Sequence, residues 1–218
     1  MDLKGKKVVF LGDSITAGVG TTADENRYWE IIARESGAIC KGYGISGTRI
    51  AKKRGLKVID EQFEQWFNSR VDDMDDDADV VVVFGGTNDF GHGEAALGSI
   101  DDTTEETFYG ALNVLYTHLL NKYPTARIIV ITPTHRLEEN RIYNEVGVRN
   151  MTNLCGYVNI IKEVAGKYSL PVIDFYNELG VNPIIEKQKE IFMPDGLHPS
   201  DKGNERMAEF FLNKIATF

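Results

Sequence analysis

Short apolar runs rich in β-branched residues recur along the chain and restrict its fold more than any other feature. They occupy Val8–Leu11, Val80–Phe84, Ile128–Thr132 and Val172–Phe175, and a weaker one occupies Ala38–Tyr43. Three of the five runs are continuous rather than alternating, which is typical of strands that are covered on both faces. We therefore predict five strands in the interior of the protein.

Segments with helical spacing of apolar residues separate these runs. They are Tyr28–Ser36, Glu61–Val71, Thr104–Lys122, Asn150–Tyr168 and Asp201–Phe218. Strands that alternate with helices imply parallel crossovers, and so a doubly wound α/β sheet. The 218 residues contain no internal repeat and no Pro- or Ser-rich linker. The sequence therefore predicts one α/β domain over residues 1–218.

Composition narrows the classes of partner. The formal net charge is −9 and no segment is crowded with Lys and Arg, which argues against nucleic acid and anionic membrane surfaces. The basic N-terminus is followed by only four apolar residues, fewer than a secretory signal needs, and no stretch reaches transmembrane length. We therefore expect a cytoplasmic protein with a small-molecule partner and no membrane insertion. The sequence leaves assembly into a homo-oligomer open.

The cysteines and histidines do not predict a metal site or a cofactor. Cys40 and Cys155 have no ligand spacing, and we expect two reduced, mostly buried thiols. A hydrolytic metal site built from His92, His135 and His198 is an alternative, but no HExxH-like spacing supports it. We expect no metal and no cofactor.

Small and polar residues follow the predicted strands at the point where each strand ends. Gly12–Ser14 follows the first strand, Gly44–Gly47 the second and Gly85–Asp89 the third, and Asp195–Pro199 precedes the last helix. In an open parallel sheet, ligands bind outside the carboxyl ends of the strands. We therefore expect these segments to meet at one edge of the sheet.

The residue types at this edge suit acyl transfer. Ser14 can act as a nucleophile, His198 as its general base, and Asp195 as the carboxylate that orients the imidazole. The oxyanion would be held by the backbone N–H groups of Ser14 and Gly47 and by the side-chain amide of Asn88.

At these residues the sequence resembles the SGNH (GDSL-type) hydrolases. Ser14 in Gly12-Asp13-Ser14, Gly47, Asn88 and the Asp195/His198 block stand in the order of that family's four blocks, from residue 12 to residue 199. The resemblance implies a three-layer α/β/α, flavodoxin-like fold with a five-stranded parallel sheet. It also implies a metal-free Ser/His/Asp esterase with a Ser/Gly/Asn oxyanion hole.

Other readings of the same residues stay open. Ser14 could be only the cap of a helix, and Asn88-Asp89 only a turn. The GxGxxG pattern of Gly42–Gly47 resembles a phosphate-binding loop, but it follows the second strand and lacks the acidic residue expected about 20 residues later. A non-catalytic module that binds glycans or other small ligands on the same fold is the alternative from another functional class.

Two long predicted loops, Phe90–Thr103 and Thr134–Arg149, border the expected site. The second loop mixes polar and aromatic side chains, which suits sugars or small polar esters better than long acyl chains. We predict a substrate with an acetyl or other short acyl group, and a carbohydrate O-acetyl ester as the alternative. Four residues are expected to contact it: Asp13, Thr87, His135 and Tyr143.

Overall fold

A computed structural model describes residues 1–52 and 65–218. Its centre is a five-stranded, all-parallel sheet with the strand order β2-β1-β3-β4-β5. The strands are β1 Lys7–Gly12, β2 Ile39–Gly44, β3 Val80–Phe84, β4 Arg127–Ile131 and β5 Val172–Ile173. The predicted parallel α/β sheet is confirmed.

Helices cover both faces of this sheet. They are α1 Ser14–Ala17, α2 Tyr28–Ser36, α3 Thr87–His92, α4 Phe108–Lys122, α5 Leu154–Lys167, α6 Phe175–Glu178, α7 Glu186–Phe192 and α8 Asp201–Ile215. Short 3-10 helices lie at Asp24–Asn26 and Phe67–Arg70. In the described part of the chain, no helix is both long and apolar enough to cross a lipid bilayer.

Alternate residues of each central strand enter two separate cores. Val81 and Val83 of β3 pack with α4 and α5 on one face, whereas Val80, Val82 and Phe84 pack with α2 and α8 on the other. All five residues are buried because both faces are covered, and this explains why the strand reads as a continuous apolar run. The arrangement is the expected three-layer α/β/α fold.

Several element boundaries differ from the prediction, and polar caps explain most of the differences. Helix α4 begins at Phe108 rather than Thr104, because the Thr107 side chain caps it by accepting the Gly110 N–H. Strand β5 ends at Ile173, since Asp174 caps α6 and takes Phe175 into that helix.

The remaining differences concern two other segments. The predicted loop Phe90–Thr103 is helical at its start, where α3 runs to His92. Of the predicted helix Glu61–Val71, residues 61–64 lie outside the described residues, and only Phe67–Arg70 forms a helix, of the 3-10 type.

Candidate active site

Ser14 is not the residue that caps helix α1. Asp13 is the N-cap of α1, and its carboxylate accepts the Ile15 N–H at 3.0 Å. Ser14 is the first helical residue, so its own N–H has no acceptor within the helix. Its Oγ lies 3.0 Å from Nε2 of His198. The end of β1 therefore presents a serine hydroxyl that the helix cap does not use.

The turn before α8 brings a carboxylate and an imidazole together. Oδ2 of Asp195 lies 2.6 Å from Nδ1 of His198, while Oδ1 accepts the backbone N–H groups of Leu197 and His198 at 2.8 and 2.7 Å. The carboxylate thus builds the turn as well as orienting the ring. With Nδ1–H donating to Asp195, Nε2 of the neutral ring can accept the proton of Ser14.

Hydrogen bonding keeps Asp195 ionised. Burial acts to raise the pKa of Asp195, but the hydrogen bonds from the His198 ring and from the backbone N–H groups of His198 and Leu197 outweigh it. The pKa of Asp195 therefore lies below its ordinary value. A carboxylate in this position beside Nδ1 would stabilise an imidazolium at His198.

The loop after β2 carries the second candidate oxyanion donor. Thr48 donates its N–H to the Ile45 carbonyl at 3.3 Å, which closes a tight turn with Gly47 in its third position. Gly47 has a φ of +76°, a conformation that glycine adopts without strain. Its N–H is not shielded by any side chain of its own.

Helix α3 holds this loop from the other side. Asn88 donates its side-chain amide to the Thr48 carbonyl at 3.0 Å, so one N–H of the amide is used and the other stays available to an oxyanion. The Asp89 carboxylate accepts the N–H groups of Ile50 and Ala51 at 3.0 and 2.9 Å. Burial raises the pKa of Asp89 to about 6, although these two hydrogen bonds act to lower it.

A buried arginine that the sequence did not indicate ties the serine strand to the same loop. Arg70, only 5% exposed, donates to the carbonyls of Gly12 and Tyr43 at 3.1 and 2.8 Å and to the Thr48 hydroxyl at 3.1 Å. Burial lowers the pKa of Arg70 to about 10, a value at which it remains charged at neutral pH. Because Arg70 is a lone cation before an acidic run, no local pattern marks it.

The four residues predicted to contact substrate differ in exposure: two are buried, and two are partly or largely exposed. Asp13 and Thr87 are 1% and 4% exposed; the first caps α1, and the second accepts hydrogen bonds from Arg136. Both side chains therefore have structural partners rather than an open face. His135 is partly exposed and lies 2.8 Å from Glu139, and Tyr143 is 61% exposed on the loop after β4.

The histidines proposed as alternative metal ligands have separate partners. His92 lies against the Gly47 carbonyl, His135 against Glu139, and His198 against Asp195 and Ser14. Within residues 1–52 and 65–218, no three His, Cys, Asp or Glu side chains form a group that could hold a metal ion.

Because Asp13 is buried, we expect the free energy of unfolding to depend on pH through this residue. Burial raises the pKa of Asp13 from 3.8 to about 7, so the native state binds more protons than the unfolded chain between those values. The stability contribution of Asp13 therefore falls as the pH rises through this window. Asp13→Asn keeps the acceptor for Ile15 and removes the charge.

When the pH is raised from about 5 to about 8, the free energy of unfolding of Asp13→Asn should increase by about 2–3 kcal/mol relative to that of wild type. One pKa unit corresponds to about 1.4 kcal/mol. Urea denaturation of both proteins at the two pH values measures this difference. A constant difference between the two proteins would show that the Asp13 carboxyl titrates normally.

Comparison with known proteins agrees with the geometry. The model of the GDSL-like Lipase/Acylhydrolase family matches residues 10–206. One solved crystal structure shares 31% identity over 100% of this chain and 99% of its own, with a TM-score of 0.86. A protein from Lactobacillus plantarum shares 28% identity over 98% of each chain, with a TM-score of 0.82.

A more distant match is an enzyme of known activity. The acetyl xylan esterase AlAXEase is 24% identical over 96% of this chain and 99% of its own, with a TM-score of 0.62, a likeness that shows the fold alone. No curated protein matches the sequence. Because the family match spans nearly the whole domain, the chain belongs to the GDSL-like Lipase/Acylhydrolase family and is a carboxylic ester hydrolase.

Proposed function

We propose that this protein is a serine esterase that hydrolyses small acyl esters. The observation that carries the proposal is the hydrogen-bond chain from Asp195 through His198 to Ser14, with 2.6 and 3.0 Å between successive heteroatoms. A general base within hydrogen-bond reach of a hydroxyl, and itself oriented by a carboxylate, is the arrangement that activates a serine nucleophile.

The reaction proceeds through an acyl-enzyme. Ser14 Oγ attacks the ester carbonyl while its proton moves to Nε2 of His198, and a tetrahedral oxyanion forms. The N–H groups of Ser14 and Gly47 and the free amide N–H of Asn88 stabilise that oxyanion. His198 then donates its proton to the leaving alcohol. Water, deprotonated by His198, attacks the acyl-enzyme and releases the acid and Ser14.

Polar and aromatic side chains in two clefts favour a carbohydrate O-acetyl ester as the second candidate substrate. Ser14, Asn88 and His198 do not line either cleft, so these clefts would hold the alcohol portion and not the acyl group. Both border the loop after β4, and their volumes are about 540 and 270 Å³. The larger includes Arg141, Tyr143 and Asn144, and the smaller includes His135 and Tyr176, whose rings lie 4.0 Å apart. Aromatic rings among polar groups suit a sugar better than a long acyl chain. The acetyl xylan esterase among the structural relatives agrees with this candidate.

A substrate panel tests both candidates. We expect p-nitrophenyl acetate to give a higher kcat/KM than the butyrate ester, and the octanoate ester to give the lowest. An acetylated xylo-oligosaccharide releases acetate if the alcohol portion is a sugar. Absence of turnover on every ester would refute the esterase proposal and favour a ligand-binding module, and a preference for octanoate would refute the short-acyl assignment.

A further inference from the structure

His92 lies at the junction between helix α3 and the loop that carries Gly47. It is the last residue of α3, and its side chain is 21% exposed. Its Nε2 lies 2.9 Å from the Gly47 carbonyl oxygen. Because a carbonyl oxygen only accepts, Nε2 carries the proton of this hydrogen bond. The other ring nitrogen, Nδ1, faces a carboxylate oxygen of Glu145 at 3.8 Å.

The bond from His92 is made to Gly47 itself, whereas the bonds from Asn88 and Arg70 are made to the neighbouring Thr48. A glycine has no side chain that packing could anchor, so its position is set by the hydrogen bonds of the peptide groups beside it. Thr48 donates to Ile45 at 3.3 Å, near the long end of the hydrogen-bond range, whereas the bond from His92 is 2.9 Å. The carbonyl bonded to His92 belongs to the same residue as the N–H proposed to bind the oxyanion.

Glu145 connects His92 to the loop after β4. One carboxylate oxygen of Glu145 accepts from Arg136 at 2.9 Å and from Arg141 at 2.8 Å, and its backbone N–H donates to the Gly91 carbonyl at 2.9 Å. Arg141 also donates to the Gly91 carbonyl at 2.8 Å. These bonds fix the end of α3, where His92 is located, against the loop that lines the larger polar cleft.

We propose that His92 is a positioning residue for the oxyanion hole, which holds the Gly47 backbone at the distance from Ser14 that the transition state requires. This role rests on the proposed esterase function. His92 touches neither the ester nor the reacting atoms; it acts through Gly47. Since the negative charge is absent from the bound ester and develops only in the tetrahedral intermediate and the transition states beside it, a displaced Gly47 N–H lowers kcat and leaves substrate binding largely unchanged.

Two amide substitutions separate this role from a general structural one. The side-chain nitrogen of glutamine can take the place of Nε2 and donate to Gly47, whereas asparagine is too short and places its amide near the position of Nδ1. We expect His92→Asn to lower kcat on p-nitrophenyl acetate about 10- to 100-fold. This decrease is no larger than the one expected when a complete oxyanion donor is removed. KM should stay within about twofold. His92→Gln should retain kcat within about threefold of wild type.

The matched control is His118 on α4, which lies 2.9 Å from Asn68 and 3.1 Å from Asp72. His118→Asn also removes a histidine with two polar partners, and it should leave kcat on p-nitrophenyl acetate unchanged. Thermal melting of all variants reports on folding.

Equal kcat values for the Asn and Gln variants of His92, or a change in KM alone, would overturn the positioning role. A wild-type protein that hydrolyses no ester would overturn the proposed function and this role with it. An active wild type with an equally active His92→Asn variant would overturn only the role of His92.

Discussion

Replacing Ser14 with alanine should lower kcat/KM on p-nitrophenyl acetate by at least about 10³-fold, because no other group supplies the attacking oxygen. The Oγ of Ser14 bonds to His198, and the cap of α1 is supplied by Asp13. The substitution therefore removes one side-chain hydrogen bond and leaves the helix start intact. We expect the free energy of unfolding to change by about 1 kcal/mol or less.

Steady-state hydrolysis and urea denaturation of the same preparations check both parts of this expectation. Asp13→Ala is an informative comparison, because it removes the cap of α1 but leaves the nucleophile, and it should cost about 1 kcal/mol of stability at about pH 5, where the Asp13 carboxyl is protonated in the folded protein. A Ser14→Ala protein that is folded and retains wild-type turnover would show that the ester is cleaved elsewhere.

The second large effect concerns His198. Replacing His198 with alanine removes the proton acceptor 3.0 Å from Ser14, and we expect a loss of at least about 10³-fold in kcat/KM. Asp195→Asn should have a smaller effect than His198→Ala, because the base is kept while its orientation and the charge beside it are lost. The amide of asparagine can also donate to Nδ1, which would place the ring proton on the nitrogen that faces Ser14.

The pH dependence of activity distinguishes His198→Ala from wild type. Because hydrogen bonds hold the pKa of Asp195 below its ordinary value, wild type keeps this carboxylate ionised throughout the mildly acidic range. Activity of His198→Ala should rise steeply with hydroxide concentration, since no internal base remains. A His198→Ala variant with the wild-type rate at neutral pH would exclude His198 as the base.

Much of the fold could be predicted because burial on two faces leaves a direct mark on the sequence. The run Val80–Phe84 contains no polar residue, and it forms the fully buried strand β3. Strand β5 is harder to delimit, since its apolar run continues into Phe175, and only the cap at Asp174 ends the strand. A side chain that caps a helix can end a strand within an apolar run. The spacing of apolar residues does not show where this happens.

The candidate site was predictable to the extent that its residues follow strands. Ser14 lies two residues after the end of β1 and Asn88 four residues after the end of β3, and these strands are neighbours, so the sheet edge brings the two residues near each other. The residues that hold the backbone around the site follow no such rule. Arg70 and His92 reach the site through bonds to backbone carbonyls, and any residue type can supply a carbonyl. Such contacts exist only once the chain is folded.

Asp13 and Thr87 have structural contacts that their positions in the sequence did not indicate. Their places beside Ser14 and Asn88 suggested contact with substrate, and the structure shows both side chains buried and bonded to structural partners. A short polar residue at a helix start has backbone N–H groups within reach, and Asp13 uses one of them. Their structural contacts could not be predicted from proximity to a catalytic candidate, and contact of Asp13 and Thr87 with substrate stays a prediction.

Labelling with a fluorophosphonate tests most directly the claim that Ser14 is a nucleophile activated by His198. The reagent forms a covalent bond to an activated serine oxygen with loss of fluoride, and peptide mass spectrometry locates the adduct. We expect one adduct, on Ser14, with a labelling rate that falls by at least about 10²-fold in His198→Ala. An adduct on another residue, or a Ser14 adduct that forms at the same rate without His198, would contradict it.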